Sequence, residues 1–188
     1  MTLDGLEPMT LEELVAVARY RARVTLGENA RRKVALCRAV VDRLVAEGVK
    51  VYGLTTGFGS KRDILIASQE LAELQLNLIR SHACGVGDPL PEDVVRAAML
   101  LRANTLAQGL SGVRVEVIET LLEFLNRDVY PWIPSRGSLG ASGDLAPLSH
   151  LALALVNDPG ARFYRPGSDE PPPLGPCGAD GTPPRYVA

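Results

Sequence analysis

The sequence predicts a mainly helical domain with a few short strands and two glycine-rich loops. Apolar residues recur at helical spacing in six segments of the 188-residue chain, and clusters of glycine and proline separate these segments. Hydrophobic residues make up 46% of the chain and charged residues 22%, which is typical of a globular protein. A chain of this length buries about 70% of its unfolded surface, so it can form one domain with its own core.

The first two helices carry clear start and stop signals. Thr10 followed by Glu13 predicts a capping box at the start of the first helix. A second helix is predicted over 29–47, and Gly48 is placed to end it. Its apolar stripe consists of Val34, Leu36, Cys37, Val40, Val41, Leu44 and Val45.

A β-like run over 49–52 precedes the first glycine-rich loop. Gly53, Gly57 and Gly59 lie within seven residues, which excludes a stable helix there. The third helix is predicted over 68–82, and a turn over 85–89 should end it. Its core face consists of Leu71, Leu74, Leu78 and Ile79.

The fourth helix is apolar on most sides. Pro91 suits its first turn, and from 94 to 106 the main charged exceptions are Arg96 and Arg102. A helix of this kind needs burial nearly all round. We therefore expect more protein to pack around it, with the chain forming one part of a larger assembly.

Two further helices are predicted, over 113–126 and 145–156. Pro131 and Pro134 predict extended chain between them, and the second glycine-rich loop covers 137–144. Eight of the 14 prolines lie between Pro159 and Pro184. The predicted organisation is therefore a domain over 1–156 and an extended or disordered tail over 157–188.

Charge and cysteine content exclude several function classes. Twenty Lys and Arg oppose 22 Asp and Glu, and aromatic residues are 5%, so neither nucleic acid nor a membrane surface is an expected partner. No apolar run reaches the ~18 residues of a membrane span, and the acidic start of the chain does not resemble a signal peptide. Three distant cysteines, Cys37, Cys84 and Cys177, argue against a disulfide framework or a metal site. We expect them to be small buried hydrophobes of a cytoplasmic protein.

Each glycine-rich loop allows either a structural or a catalytic interpretation. Arg62 stands where a dinucleotide fingerprint needs its third glycine, which argues against phosphate binding in the first loop. In the second loop, Asp144 replaces the last glycine of a serine-hydrolase elbow, although His82 or His150 could serve as a base. On local sequence, Ser142 or Asp144 is expected to cap the sixth helix.

Ala141-Ser142-Gly143 permits a third chemistry. In a tightly bent chain, the glycine nitrogen can attack the carbonyl two residues back, because no side chain hinders its approach. Loss of one water closes a five-membered ring. Loss of a second water from the serine leaves an exocyclic methylidene, which is a strong electrophile.

The segment over 137–150, GSLGASGDLAPLSH, resembles the signature of the aromatic amino-acid ammonia-lyases. That family makes its methylidene-imidazolone (MIO) group from this Ala-Ser-Gly. Residues 52–59, YGLTTGFG, resemble the catalytic tyrosine loop, and residues 77–87, NLIRSHACGVG, resemble the substrate-selecting segment in its histidine ammonia-lyase form. The resemblance covers about 11–156 and implies the N-terminal part of the ammonia-lyase fold.

The resemblance implies a role for each matching residue. Ala141, Ser142 and Gly143 would become the MIO electrophile. Tyr52 would be the base that removes the β-proton, and His82 would contact the substrate imidazole. The supporting residues would be Gly57, Gly59 and Asp144, of which Asp144 would orient the MIO or cap the following helix. His150 lies in the signature but is expected to be a packing histidine.

The implied reaction is the elimination of ammonia from L-histidine to give trans-urocanate, a step of histidine catabolism. It would need no metal or diffusible cofactor, and each site would be assembled from several subunits of a homotetramer. Two departures stand out: Thr55 replaces an asparagine common in histidine lyases, and the chain is well under half the family's usual length. Alternatives are therefore an inactive truncated lyase that self-associates, or a family lyase or aminomutase acting on phenylalanine or tyrosine.

Overall fold

The computed structural model describes residues 1–5, 7–139 and 144–164. These residues form six α-helices: α1 Leu11–Ala18, α2 Glu28–Ala46, α3 Leu71–His82, α4 Glu92–Ala107, α5 Val115–Asn126 and α6 Leu145–Leu155. Short 3-10 turns cover Gly59–Lys61 and Ser68–Glu70. The strands are β1 Thr2–Leu3, β2 Thr25–Leu26, β3 Val86–Pro89, β4 Tyr130–Pro131, β5 Pro134–Arg136 and β6 Phe163–Tyr164. The predicted mainly helical class is confirmed.

The predicted helix signals act as expected. The Thr10 hydroxyl accepts the Glu13 amide at 3.2 Å, and the Glu13 carboxylate accepts the Thr10 amide at 2.9 Å. This capping box satisfies two amides at the start of α1 that lack partners in the helix. Gly48 ends α2 with a positive φ of 64°, which a glycine adopts without strain.

Helix α4 is the centre of the core. It packs against α1, α2 and α5, and its buried side chains include Val95, Met99 and Leu100. One side of the helix is exposed, since Val94 is 43% and Leu101 46% exposed. The expected burial nearly all round is therefore wrong for the described chain, and further protein around α4 stays a prediction.

Arg96 is the buried charge at the heart of this core, with 1% of its surface exposed. Its guanidinium donates to the Val17 and Leu125 carbonyls, to the Asp128 carboxylate and to the Tyr130 hydroxyl. A buried charge is tolerated when it is paired and hydrogen-bonded in this way. The network ties α1, α4, the end of α5 and β4 together.

Helices α2 and α3 are incompletely covered. Of the predicted α2 stripe, Val34 is buried, whereas Leu36 is 65% exposed and Val40 is 46% exposed. None of the α3 residues whose burial is described is fully buried. Apolar surface without full cover in the described chain therefore lies on α2 and α3, and also at Val94 and Leu101 of α4.

Three two-stranded pairings complete the fold. β1 pairs with β2 in parallel, and β3–β5 and β4–β6 are antiparallel. The turn predicted over 85–89 is largely strand β3, because its chain pairs with the Pro134–Arg136 strand. The predicted domain end after Val156 falls too early, since Ala161 and Phe163 are buried in the core. The rest of the predicted tail, 165–188, lies outside the described residues.

No helix among the described residues has the length and apolar character to cross a membrane. No group of three or more His, Cys, Asp or Glu side chains in that part of the chain could hold a metal ion.

Candidate active site

The segment that carries Tyr52 is a set of turns and not the predicted β-run. The Thr55 hydroxyl accepts the Val51 amide at 2.8 Å and donates to the Val49 carbonyl at 2.6 Å. The Thr56 hydroxyl accepts the Gly53 amide at 3.3 Å. These side chains satisfy backbone groups that a strand partner would otherwise bind, so the chain bends where alternating apolar residues predicted extension.

Tyr52 lies on the outside of these turns, with 63% of its surface exposed. Its ring packs edge-to-face on Phe58 with centroids 5.9 Å apart, a favourable geometry for two aromatic rings. No described residue forms a hydrogen bond with the Tyr52 hydroxyl. The ring is therefore held in place while the hydroxyl remains accessible.

The two supporting glycines of this loop have different reasons to be glycine. Gly59 has a φ of +57°, which other residues adopt only with strain. At Gly57 an added Cβ would lie 2.6 Å from the Lys61 Cβ and 3.0 Å from its carbonyl oxygen. Gly57 thus allows the loop to close over the following 3-10 turn, Gly59–Lys61.

Helix α3 is joined to the tyrosine loop and presents His82 at its last position. The Gln75 amide donates to the Gly53 carbonyl at 3.1 Å. Seven residues further along α3, His82 is partly buried in the final turn. One helix therefore contacts the Tyr52 loop and carries the candidate substrate-binding histidine.

The contacts of His82 favour one tautomer. The Nδ1 atom lies 2.9 Å from the Leu78 carbonyl oxygen and 3.0 Å from the Ser81 hydroxyl. The carbonyl can only accept, so its contact favours a proton on Nδ1. The Ser81 hydroxyl donates to the same carbonyl at 2.8 Å. In the neutral ring, Nε2 is then an acceptor, and no described residue binds it. Such a nitrogen can receive an N–H from a ligand.

The chain beyond His82 meets the second glycine-rich loop at Gly85. A Cβ added at Gly137 would lie 2.9 Å from the Gly85 Cα and 3.2 Å from the Ala146 Cβ. Helix α3 also packs against α6. The end of α3, the start of the second loop and the first turn of α6 therefore meet at this close approach.

The second loop is described only at its two ends. The predicted electrophile residues Ala141, Ser142 and Gly143 lie outside the described residues. Asp144 occupies the N-cap position of α6, but its side chain makes no capping hydrogen bond. Its carboxylate lies 3.8 Å from the Arg102 guanidinium. The expectation that Asp144 caps this helix by its side chain is therefore wrong.

His150 is the residue that the sequence predicts to be a packing histidine. Nε2 of His150 accepts the Gly85 amide at 3.1 Å, in agreement with a packing histidine. Burial lowers the pKa of His150 below its ordinary 6.5.

Cys84 is exposed and Cys37 is partly buried, so the expected full burial of these cysteines is wrong. Cys177 lies outside the described residues.

The folded chain has the helical architecture of the class that contains ammonia-lyases and aminomutases. It superimposes with a TM-score of 0.84 on ergothionase, an ergothioneine-degrading enzyme of Treponema denticola, at 33% identity over 91% of this chain and 34% of that one. The TM-score is 0.81 for the tyrosine aminomutase of Streptomyces globisporus, at 37% identity over 91% of this chain and 31% of that one.

The sequence comparisons narrow this class to one family. Residues 9–169 match the aromatic amino acid lyase family, and the chain belongs to it. The chain is 54% identical over 164 residues to a histidine ammonia-lyase of Caldanaerobacter subterraneus subsp. tengcongensis. That match covers 87% of this chain but 32% of the relative, so the chain spans about a third of the length of such relatives.

Proposed function

We propose that the chain is the part of a histidine ammonia-lyase that carries the electrophile, the base and the substrate-selecting histidine. The proposed reaction converts L-histidine to trans-urocanate and ammonia. The observation that carries the proposal is the 54% identity to a histidine ammonia-lyase across nearly the whole chain. The close approach of Gly137 to Gly85 and the packing of α3 against α6 support it, since these contacts involve the described residues on either side of the predicted electrophile segment.

The residues present fit the MIO group of this family. Ala141-Ser142-Gly143 provides every atom of the ring, and the glycine leaves its nitrogen unhindered. Asp144 follows this tripeptide in sequence and makes no side-chain cap at the start of α6, so the positive end of the helix dipole is not neutralised by a hydrogen bond to that carboxylate. When formed, the group would supply an electrophile for the substrate amine or ring and would serve as an electron sink. No metal or diffusible cofactor enters this proposal.

Tyr52 is the proposed base. It would remove a proton from the β-carbon of the substrate, and the electrons of that C–H bond would form the double bond as the C–N bond breaks. The amine would then leave as ammonia. The exposed hydroxyl and the ring packed on Phe58 support this role, because a general base must reach a bound substrate while its own ring stays in place.

His82 is the proposed selector of the substrate side chain. With Nδ1 donating to the Leu78 carbonyl, its Nε2 can accept the N–H of a substrate imidazole. A phenyl ring offers no such donor, so it would leave this nitrogen unpaired. Sites that hydrogen-bond a substrate group discriminate strongly against analogues lacking that group.

We also propose a cytoplasmic homotetramer, with the small amino acid as its ligand. The exposed apolar residues of α2, such as Leu36 and Val40, support additional contacts outside the described chain. Neither a membrane nor nucleic acid is a proposed partner.

The test is urocanate formation from L-histidine by the purified 188-residue chain, alone and mixed with the C-terminal portion of a histidine ammonia-lyase. Tyr52→Phe should lower turnover by about 10²- to 10⁴-fold and leave the fold unchanged, because it removes a proton acceptor and no internal contact. The matched control is Tyr20→Phe, since Tyr20 is also exposed, at 79%. Equal turnover in both variants would contradict the role of Tyr52.

Two alternatives remain, each with its own observation. The likeness to a tyrosine aminomutase favours assaying phenylalanine, tyrosine and their β-amino acid products beside histidine. The exposed apolar residues of α2 favour a self-associating chain without activity. Light scattering coupled to gel filtration tests this second alternative, and a monomer would contradict it.

A further inference from the structure

His150 joins two parts of the candidate site that are 65 residues apart in sequence. It lies on α6, six residues after Asp144, and its Nε2 accepts the Gly85 amide at 3.1 Å. A backbone amide can only donate, so Nε2 must be unprotonated for this bond to exist. The contact is therefore specific to the neutral imidazole.

Gly85 is held on several sides at this position. An added Cβ would lie 3.1 Å from the His150 Nε2, 3.1 Å from the Pro134 Cβ and 3.2 Å from the Arg136 carbonyl oxygen. A Cβ added at Gly137 would lie 2.9 Å from the Gly85 Cα. The backbone that follows His82 consequently cannot shift without breaking the His150 bond or moving β5.

The surroundings of His150 leave it no competing partner among the described residues. It lines a cavity of about 300 Å³ together with Trp132 and Arg162, whose guanidinium stacks 4.5 Å above the Trp132 ring. Of the nearby charged groups, Arg80 on α3 pairs with Asp158 at 2.7 Å, and Arg136 belongs to β5. Burial favours the neutral ring, as the lowered pKa indicates.

We propose that His150 is a positioning residue, which holds the backbone that follows His82 in place against α6. Its role rests on the proposed function, since it acts on the arrangement of that site and not on substrate. The hydrogen bond fixes the chain three residues after His82. Its loss would let the imidazole acceptor of His82 move relative to α6.

Three variants of the full chain separate this role from packing. His150→Gln retains an acceptor, His150→Leu fills the space without one, and Arg162→Gln alters the same cavity but leaves the bond intact. The chain has two histidines, so His82 gives the one imidazole signal in both His150 variants. NMR can therefore follow its ring, together with hydrogen exchange at the Gly85 amide.

We expect His150→Leu to speed Gly85 amide exchange about tenfold or more and to shift the His82 ring signals. His150→Gln and Arg162→Gln should keep wild-type values. Acidification below the ordinary imidazole pKa should speed Gly85 exchange in the wild type relative to His150→Gln. Unchanged Gly85 exchange and His82 signals in His150→Leu would overturn the proposal.

A parallel measurement of urocanate release separates this inference from the proposed function. Without release by the wild type mixed with its C-terminal portion, the proposed function fails even if the NMR changes occur. With release, His150→Leu should lower it and His150→Gln should restore it. Release that is unaffected by His150→Leu would contradict a positioning role.

Discussion

The Gln75 side-chain amide donates a hydrogen bond of 3.1 Å to the Gly53 carbonyl, which joins α3 to the tyrosine loop. The two residues are 22 positions apart, and the bond sets the loop beside the helix that ends at His82. Because Tyr52 precedes Gly53 directly, this contact fixes the candidate base relative to the candidate selector. Few hydrogen bonds between distant residues hold the described site together, and a substitution can test each of them.

Gln75→Ala should loosen the tyrosine loop while the fold remains. We expect faster hydrogen exchange over 53–59 and a loss of stability of about 1 kcal/mol, since one hydrogen bond is removed. Exchange measured by mass spectrometry would show the effect. Glu73→Ala is the matched control, because Glu73 is exposed on the same helix. A Gln75→Ala chain with wild-type exchange over 53–59 would contradict the contact.

Thr55→Val should destabilise the chain by about 1 kcal/mol, because it leaves the Val49 carbonyl and the Val51 amide without their part-buried hydrogen bonds. Thr55→Ser keeps the hydroxyl and should lose less. Urea unfolding followed by circular dichroism measures both. If the two variants unfold at the same urea concentration, the hydroxyl does not hold the turn.

Gly57→Ala should cost more stability than Gly59→Asn. The new methyl at position 57 would meet Lys61 backbone and Cβ atoms, and overpacking of this kind costs about 1–3 kcal/mol. At position 59 there is open space, and asparagine tolerates a positive φ. Thermal unfolding ranks the variants, and the reverse order would show that the loop closes differently.

Lowering the pH should destabilise the wild type more than His150→Gln. The unfolded chain takes up a proton near the ordinary pKa of 6.5, whereas burial lowers the pKa of folded His150. Stability from this group is therefore present above pH 6.5 and is lost as the pH falls towards the lowered pKa. Melting temperatures from pH 7.5 to 5 measure the difference, since carboxylates contribute equally to both chains. Parallel curves would contradict the neutral His150.

The structural features that the sequence predicts correctly are those that depend on the spacing of neighbouring residues. The capping box at Thr10 and the positive φ of Gly48 arise from neighbouring residues, so their patterns determine them. The β-run over 49–52 failed because the Thr55 and Thr56 hydroxyls replace strand partners. Two threonines before a glycine carried that signal, since such side chains compete for the backbone.

The candidate site was predictable in its residues but not in its connections. Tyr52 and His82 were singled out by motif resemblance, yet nothing local indicated that Gln75 reaches Gly53 or that His150 reaches Gly85. These bonds join residues 22 and 65 positions apart, so tertiary packing alone determines them. The same holds for the coverage of α4, where the apolar face indicated burial but not which helices supply it.

The intact mass of the purified chain, with Ser142→Ala as the control, is the most direct test of the proposed chemistry. If Ala141-Ser142-Gly143 cyclises, the wild type should weigh two water molecules less than its sequence requires, and Ser142→Ala should retain its full mass. A folded wild-type chain with unmodified mass would contradict the account, because the tripeptide would then not build the electrophile on which the proposed elimination depends.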